Sequence, residues 1–336
     1  MIRYGILGFG LHAVRRLMPG FALACNSRVV ALSRRDMESA RASAGQYNIP
    51  HAFNSGAALC RCPNVDAVFV ATPNVAHLKD VMLAIESGKP TLCEKPMGMN
   101  ATECRQMVEG ARRAGLLLGV AQVFRFECST ASLRERVAAG QVGQPVFARA
   151  EFSYPARTHP RKWLTDAKIA GGGPIADVGV HCVDALRYIL DDEIVRVAAN
   201  GISDKDSGDV EAAAILSLEF AHGTLGSVLV SARTEYHTPV EIVGEAGVLR
   251  ADDAFSVERP IEIELRRGGT VVETERVSNA DAYARQVDMF SAAIEGAAEF
   301  PVRGEEGWQN QEILDAAYRS LKSGMVENVP LVEKKH

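Results

Sequence analysis

The sequence predicts an α/β protein in which a doubly wound parallel sheet is followed by an α+β domain with a large, mainly antiparallel sheet. Over roughly the first 120 residues, short apolar runs alternate with helical patterns. That alternation is typical of parallel strands covered on both faces. After about residue 122, strand-like runs follow one another through short turns, which indicates antiparallel pairing. We therefore predict two domains, residues 1–122 and 123–336.

The first half contains five strand-like runs and two well-marked helical patterns. One helical pattern covers residues 78–85 and ends before Gly88, and another covers residues 102–114 and ends before Gly115. Glycine directly after a helical pattern is a common terminus of a helix. The strand-like runs cover residues 3–7, 29–32, 66–71, 91–93 and 116–120.

The second half predicts a sheet of sequential strands and two C-terminal helices. Residues 146–154 alternate in polarity, as expected of a strand with two different faces. Residues 221–223, which end in Gly223, predict a tight hairpin. Further strands are predicted at residues 195–200, 211–220, 224–232, 239–243 and 261–266, and helices at residues 282–295 and 309–323.

Composition and charge argue against several classes of protein. The chain has 336 residues, 47% of them hydrophobic, with a formal net charge of -5. Such a chain has no general attraction to nucleic acid or to an anionic membrane. Its apolar runs are too short to span a bilayer, and it shows no signal peptide. The seven scattered cysteines predict reduced thiols. We therefore predict a cytoplasmic protein that binds neither nucleic acid nor membranes.

A glycine-rich turn directly follows the first predicted strand. Gly8 allows the tight turn, and Gly10 lets the backbone approach a pyrophosphate, whose charge the amides of the next helix would bind. We expect His12 to contribute only its backbone. The dinucleotide fingerprint G-x-G-x-x-[GA] is matched by Gly8, Phe9, Gly10, Leu11, His12 and Ala13.

The end of the second predicted strand distinguishes the two nicotinamide dinucleotides. An acidic residue there would bind a ribose 2′-hydroxyl, but this chain has Ser33, Arg34 and Arg35. A hydroxyl and two guanidinium groups favour a 2′-phosphate. Asp36 is either the N-cap of the next helix or a displaced ribose ligand. We predict NADP in preference to NAD.

A possible acid–base row stands in the second half. Asp177, His181 and Asp184 are spaced i, i+4 and i+7, which places them within roughly 60° of one another on an α-helix. A histidine between two carboxylates suits proton exchange with a bound hydroxyl. The alternative interpretation is a polar helix face in solvent. Because no second cluster of ligands is evident, we predict no metal.

Four motifs occur along the chain in one order. They are the glycine turn, Ala71-Thr72-Pro73-Asn74-Val75-Ala76-His77, Cys93-Glu94-Lys95-Pro96 and the segment that carries Asp177 and His181. In this order they resemble the glucose–fructose oxidoreductase and myo-inositol dehydrogenase family, over most of the chain. The resemblance implies an NAD(P)-dependent dehydrogenase or reductase that acts on a sugar, a polyol or a related small polar substrate.

The resemblance also implies roles for individual residues. Lys95, Asp177 and His181 match the family's catalytic residues, and Asp184 matches a frequent ligand of substrate hydroxyls. The Lys95–Pro96 bond is a candidate cis peptide. The remaining matches are Thr72, Pro73, Asn74 and His77 along the nicotinamide half of the cofactor, Glu94 near its ribose, Tyr283 at the cofactor, and Arg125 and Trp163 at the substrate.

In this interpretation His181 exchanges the hydroxyl proton, Asp177 orients the imidazole, and Lys95 holds the developing alkoxide or itself carries the proton. Tyr154, His159 and His237 are further polar side chains available to a substrate. Two other functions remain open: a glycoside hydrolase or lyase that retains its cofactor and oxidises transiently, and a cofactor-sensing regulatory protein. We expect a homodimer or homotetramer formed through an exposed sheet face.

Overall fold

The computed structural model describes residues 1–156 and 160–333. These residues form two compact units. The first joins Met1–Val123 to Asp281–Trp308, and the second joins Phe124–Ala280 to the described residues from Gln309 onward. The predicted division at residue 122 assigns residues 281–308 to the second domain. In the structure this stretch packs with the first unit, where the Tyr4 hydroxyl donates to the carbonyl oxygen of Val287 at 3.2 Å.

The strands follow the predicted runs closely, with additions in both units. Short strands such as His51–Phe53 were not predicted because they contain no apolar run. In chain order the described strands are β1 Ile2–Leu7, β2 Ser27–Ser33, β3 His51–Phe53, β4 Ala67–Val70, β5 Thr91–Glu94, β6 Leu118–Ala121, β7 Pro145–Ser153, β8 Ile194–Ile202, β9 Ala213–Phe220, β10 Leu225–Ser231, β11 Val240–Gly244, β12 Gly247–Ala251, β13 Ile261–Arg267, β14 Thr270–Val277 and β15 Glu327–Asn328.

Helix ends agree with the capping signals in the sequence. The helix that precedes Gly115 ends there because this glycine adopts a left-handed conformation, with φ +64°. In chain order the described α-helices are α1 Met18–Leu23, α2 Met37–Gln46, α3 Gly56–Cys60, α4 His77–Glu86, α5 Ala101–Ala114, α6 Cys128–Ala138, α7 Ala167–Ala170, α8 Val180–Leu190, α9 Ala282–Ile294 and α10 Gly304–Ser323.

The first unit is built on a six-stranded parallel sheet. Its strand order is β3-β2-β1-β4-β5-β6, and every pair is parallel. The order reverses between β1 and β4, and such switch points open a crevice for ligands at the carboxyl ends of the strands. The predicted doubly wound sheet is confirmed, and the glycine turn follows β1 at this point.

The second unit contains a nine-stranded sheet in the order β14-β13-β12-β11-β7-β10-β9-β8-β15. Its pairs are antiparallel apart from β7 with β10, which are parallel. Gly223, with φ +93°, turns the predicted hairpin between β9 and β10. Helix α8 packs on β7, as predicted for the helix that carries His181. None of the helices in the described part of the chain combines the length and apolar character needed to span a membrane.

Alanine substitutions at Gly119 and Gly45 test the packing of the first unit. We expect them to change the free energy of unfolding in opposite directions. A Cβ on Gly119, in β6, would lie 2.6 Å from Phe300 Cε1 and 2.8 Å from Phe290 Cε2. We expect Gly119→Ala to lower the free energy of unfolding by about 1–3 kcal/mol through overpacking. Gly45 lies in α2 with nothing within 4 Å of an added Cβ, so Gly45→Ala should raise that free energy by about 0.5–1 kcal/mol. Urea unfolding measures both free energies of unfolding. Changes in the same direction for the two variants would contradict the packing described.

Candidate active site

The glycine turn after β1 closes onto the residue that follows β4 by two positions. A Cβ on Gly8, where φ is +80°, would lie 2.8 Å from the Thr72 Cα. A Cβ on Gly10 would meet only the carbonyl oxygen of Gly8, at 3.8 Å, and otherwise open space. The Phe9 amide donates to the carbonyl oxygen of Ser33 at 2.9 Å, which ties the turn to the end of β2. The turn therefore has the form and the clearance that a pyrophosphate needs.

His77 connects the loops after β4 and β5. Its ring is fully buried, with Nδ1 3.0 Å from the Pro96 carbonyl oxygen and Nε2 2.8 Å from that of Thr72. Burial lowers the pKa of His77. The Lys95–Pro96 bond is cis, as predicted. His77 thus holds the Thr72 loop against the loop that carries Lys95, from a position without exposed surface.

The side chain of His12 pairs with Glu94. The Nε2–Oε1 distance is 2.8 Å, and the Lys95 backbone amide donates to Glu94 Oε2 at 3.2 Å. Burial opposes ionisation of Glu94, but the charge and hydrogen bond of His12 outweigh it and hold the pKa of this carboxyl below its usual value. The Tyr283 ring lies edge-on to the His12 ring at 6.2 Å. Sequence reasoning expected only the backbone of His12 to act and missed this link.

At the end of β2, the structure shows the first of the two roles left open for Asp36, that of a helix N-cap. This carboxylate caps α2 by accepting the Ser39 amide at 2.6 Å, and the hydrogen bonds from Ser39 lower its pKa. Arg34 and Arg35 are exposed, and Arg34 Nη1 donates to Ser43 Oγ at 2.8 Å. Asp36 is therefore engaged with its own helix, while two guanidinium groups face solvent beside it.

The predicted acid–base row lies on a helix whose first turn is π-helical. Residues Ile175–Gly179 form that turn and continue into α8, so the α-helical angle between Asp177 and His181 does not apply to this step. Their exposed fractions are 8% and 7%, and Asp184 is 1% exposed. The alternative of a polar face in solvent is therefore wrong.

The start of this helix is held by a buried carboxylate from a distant part of the chain. Glu211 accepts the Gly173 amide at 3.1 Å, the Ile175 amide at 2.9 Å and the Tyr318 hydroxyl at 3.1 Å. Burial raises the pKa of Glu211. A Cβ on Gly173 would overlap the Glu211 carbonyl oxygen, and one on Gly172 would overlap the Tyr318 hydroxyl. The two glycines are therefore a steric requirement, and no sequence signal had assigned Glu211 to the site.

The catalytic pair expected from the resemblance sits in an aromatic setting. The Tyr154 hydroxyl donates to Asp177 Oδ2 at 2.5 Å. The His181 ring lies 4.2 Å from the Phe124 ring and 6.3 Å from the Phe152 ring, between centroids. Sequence reasoning had treated Tyr154 only as a side chain available to a substrate.

Asp184 forms a buried ion pair. Arg125 donates to it from Nε at 2.9 Å and Nη2 at 2.7 Å, and Asn310 Nδ2 donates at 2.7 Å. The Arg125 side chain is 8% exposed. The structure thus brings Arg125 and Asp184 together, and with Asn310 they link α8 to α10.

Trp163 and His159 are the other substrate-side residues that the sequence suggests. Trp163 lies on the 3-10 turn Lys162–Thr165, with the Arg161 guanidinium 5.9 Å from its ring. His159 lies outside the described residues.

Glu211→Gln tests whether this carboxylate holds the site helix. The amide would turn an N–H₂ group toward backbone donors, so we expect the free energy of unfolding to fall by about 1–3 kcal/mol. Glu235→Gln, at an exposed position of the same unit, is the matched control and should change it by less than about 0.5 kcal/mol. Denaturant unfolding of both variants measures these free energies. If Glu211→Gln were as stable as Glu235→Gln, Glu211 would not hold the start of the helix.

Comparisons with known proteins place this chain in one family. Residues 2–122 match the family model described as "Oxidoreductase family, NAD-binding Rossmann fold", and residues 130–250 match "GFO/IDH/MocA C-terminal domain". The chain therefore belongs to the GFO/IDH/MocA family and is an NAD-binding oxidoreductase. The resemblance inferred from four motifs is confirmed.

Relatives match over nearly the whole chain. The chain is 31% identical over 324 residues to D-xylose 1-dehydrogenase (NADP(+)) 2 of Haloferax volcanii, covering 96% of this chain and 98% of the relative. It is 30% identical over 309 residues to 1,5-anhydro-D-fructose reductase of Ensifer adhaerens, covering 91% and 92%. The aldose-aldose oxidoreductase of Caulobacter crescentus, solved in complex with glycerol, matches with a TM-score of 0.90 and 26% identity over 97% of this chain and 99% of that one.

Proposed function

We propose that the chain transfers hydride between a nicotinamide cofactor and a hydroxyl-bearing carbon of a sugar, a polyol or a related small polar molecule. The observation that carries the proposal is the buried pair Asp177 and His181, held on a braced helix in a chain that also has a dinucleotide turn. The names of the relatives, a xylose dehydrogenase and an anhydrofructose reductase, support the substrate class.

The proposed chemistry assigns one task to each residue. The bound nicotinamide supplies the hydride acceptor or donor. His181 takes the hydroxyl proton as the carbon is oxidised and returns it in the reverse direction, while ionised Asp177 orients the imidazole. Phe124, against the His181 ring, keeps water from the imidazole. Lys95 holds the developing alkoxide and is the alternative proton carrier.

We further propose that NADP is preferred and that Arg34 and Arg35 bind its 2′-phosphate beside Ser33. Support comes from the exposed side chains of Arg34 and Arg35, and from Asp36, whose carboxylate caps α2. Arginine offers forked donors suited to phosphate oxygens. The other residues proposed to border the cofactor are Gly8, Phe9, Gly10, Leu11, His12, Thr72, Pro73, Asn74, Glu94 and Tyr283. His77, which has no exposed surface, is proposed to act on the cofactor site by holding the Thr72 loop.

On the substrate side, we propose Trp163 together with the ion pair of Arg125 and Asp184. Since the Asp184 oxygens accept from Arg125 and Asn310, the pair would act as one unit that shapes the site.

Replacing His181 or Lys95 tests the proposed catalysis. His181→Ala and Lys95→Ala should each lower turnover by at least about 100-fold, because proton transfer and alkoxide stabilisation contribute on that scale. Cofactor affinity, measured by fluorescence titration, should change by less than about twofold, since neither task is ground-state cofactor binding. His222→Ala, on a hairpin turn with a 79% exposed side chain, is the control.

The assay follows the absorbance of reduced nicotinamide over a panel of sugars and polyols, with both cofactors and in both directions. Near-normal turnover of either variant would remove that residue from the mechanism. Turnover with tightly held cofactor and no net change in reduced nicotinamide would instead favour the hydrolase or lyase.

The phosphate preference is tested by titrating NADPH and NADH against the apoprotein. NADPH should bind at least about 10-fold more tightly, and Arg34→Ala or Arg35→Ala should weaken NADPH by about 10-fold while leaving NADH nearly unchanged, since only the phosphate contact is lost. Arg41→Ala removes an exposed charge from helix α2, which begins two residues after Arg35, and controls for general electrostatics. Equal affinities of the wild type for both cofactors would defeat the proposal.

We propose that the chain forms a homodimer or homotetramer through one face of the nine-stranded sheet. Phe147, Ile215 and Leu225 share that face on β7, β9 and β10, and each is at least half exposed. Contiguous exposed apolar surface marks interaction sites. Analytical ultracentrifugation should show a dimer or tetramer that Phe147→Glu shifts toward monomer, because the charge would be buried. A wild-type monomer would be contrary to the proposal.

A further inference from the structure

We propose that Tyr154 is a positioning residue for catalysis, which holds the Asp177 carboxylate in the ionised state and in the orientation that His181 needs. This inference rests on the proposed function, because it concerns the same acid–base pair. Tyr154 is not assigned a contact with substrate or with the reacting atoms.

The register of β7 places two aromatic residues against the two acid–base residues. Phe152 lies in β7, and Tyr154 directly follows the last residue of that strand, Ser153. The two are two positions apart, the spacing of residues on one side of an extended chain. Phe152 lies 6.3 Å from His181, ring to ring, and the Tyr154 hydroxyl lies 2.5 Å from Asp177 Oδ2. The Tyr154 amide donates to the Ser231 carbonyl oxygen of β10 at 2.9 Å, which fixes the backbone from which the phenol projects.

The hydrogen bond between Tyr154 and Asp177 determines the protonation state of both side chains. Burial, and then the negative charge of Asp177, raise the pKa of Tyr154 well above its usual value, so the phenol remains a donor. A buried carboxylate stays ionised only when it is paired or hydrogen-bonded. An ionised carboxylate is acceptor-only, and a bond from a fixed phenol stops it from rotating. Asp177 is 8% exposed, and the Tyr154 hydroxyl donates the hydrogen bond that its buried carboxylate needs.

Because Asp177 lies in the π-helical turn, the hydrogen bond from Tyr154 matters for the geometry of the site as well. The turn removes the regular α-helical spacing between Asp177 and His181, so the helix backbone alone does not specify their side-chain geometry. A donor from the residue directly after β7, outside the helix, supplies the missing constraint. The packing of the Phe152 ring edge-on against the Tyr154 ring at 6.3 Å keeps that donor in place.

A double-mutant cycle on the full-length holoenzyme tests the proposal. Tyr154→Phe keeps the ring and removes the hydroxyl, and we expect kcat to fall about 10-fold while the substrate KM and the NADPH dissociation constant stay within about twofold. In the Asp177→Asn background, Tyr154→Phe should change kcat by less than about twofold, because its only proposed target is already lost. If Tyr154→Phe acted only through a loss of packing, it would lower kcat by the same factor in the wild-type and the Asp177→Asn proteins.

Tyr4→Phe is the matched control, since it removes another buried phenol hydroxyl, bonded to Ser291 Oγ at 2.8 Å in the first unit. It should leave kcat unchanged, and thermal unfolding should show all variants folded at the assay temperature. An unchanged kcat in Tyr154→Phe, or equal factors in the two backgrounds, would overturn the role of Tyr154 while leaving the proposed function intact. An unchanged kcat in Asp177→Asn would remove Asp177 from the proposed mechanism and the role of Tyr154 with it, whereas a wild type that turns over its substrate with no net change in reduced nicotinamide would overturn the proposed function itself.

Discussion

Buried ionised groups need partners, and in the second unit this constraint determines how the helix that carries His181 is held. Asp177 accepts from Tyr154, Asp184 accepts from Arg125, and Glu211 accepts from the backbone at the helix start. Removing one partner of a buried charge costs far more than removing a surface ion pair. The helix is therefore held at its start, in its first turn and in its middle by different parts of the chain.

The same rule operates at the carboxyl ends of the parallel strands in the first unit. Glu94 is balanced by His12 from the glycine turn, and His77 places its two ring nitrogens on the carbonyl oxygens of Thr72 and Pro96. Three loops that follow different strands are thereby linked through two histidines. A cofactor that enters this crevice meets loops that are already tied together, so less ordering is required on binding.

Much of the fold was predictable because it depends on local signals. Apolar runs, glycine stops and the hairpin at Gly223 gave the sheets and the bounds of α4, α5 and α9 to within one residue, whereas α10 begins at Gly304 and not at the predicted residue 309. The strands β3 and β14 lacked an apolar pattern. The site was predictable only in part. Motif spacing and the family resemblance predict Asp177, His181 and Lys95 as site residues, but the contacts of Tyr154 and Glu211 join residues 23 and 36 positions apart, which no motif encodes. A π-helical turn and the pairing of Asp184 with Arg125 likewise arise from packing that spacing does not encode.

A crystal structure of the enzyme with NADPH and a turned-over sugar or polyol tests the central claim most directly. The account predicts that the Lys95 Nζ atom and an imidazole nitrogen of His181 both lie within about 3.2 Å of the oxygen on the reacting carbon, the ordinary range of a hydrogen bond. A complex in which that oxygen is bound by other side chains, with His181 still enclosed by Phe124 and Phe152 and out of reach, would contradict it.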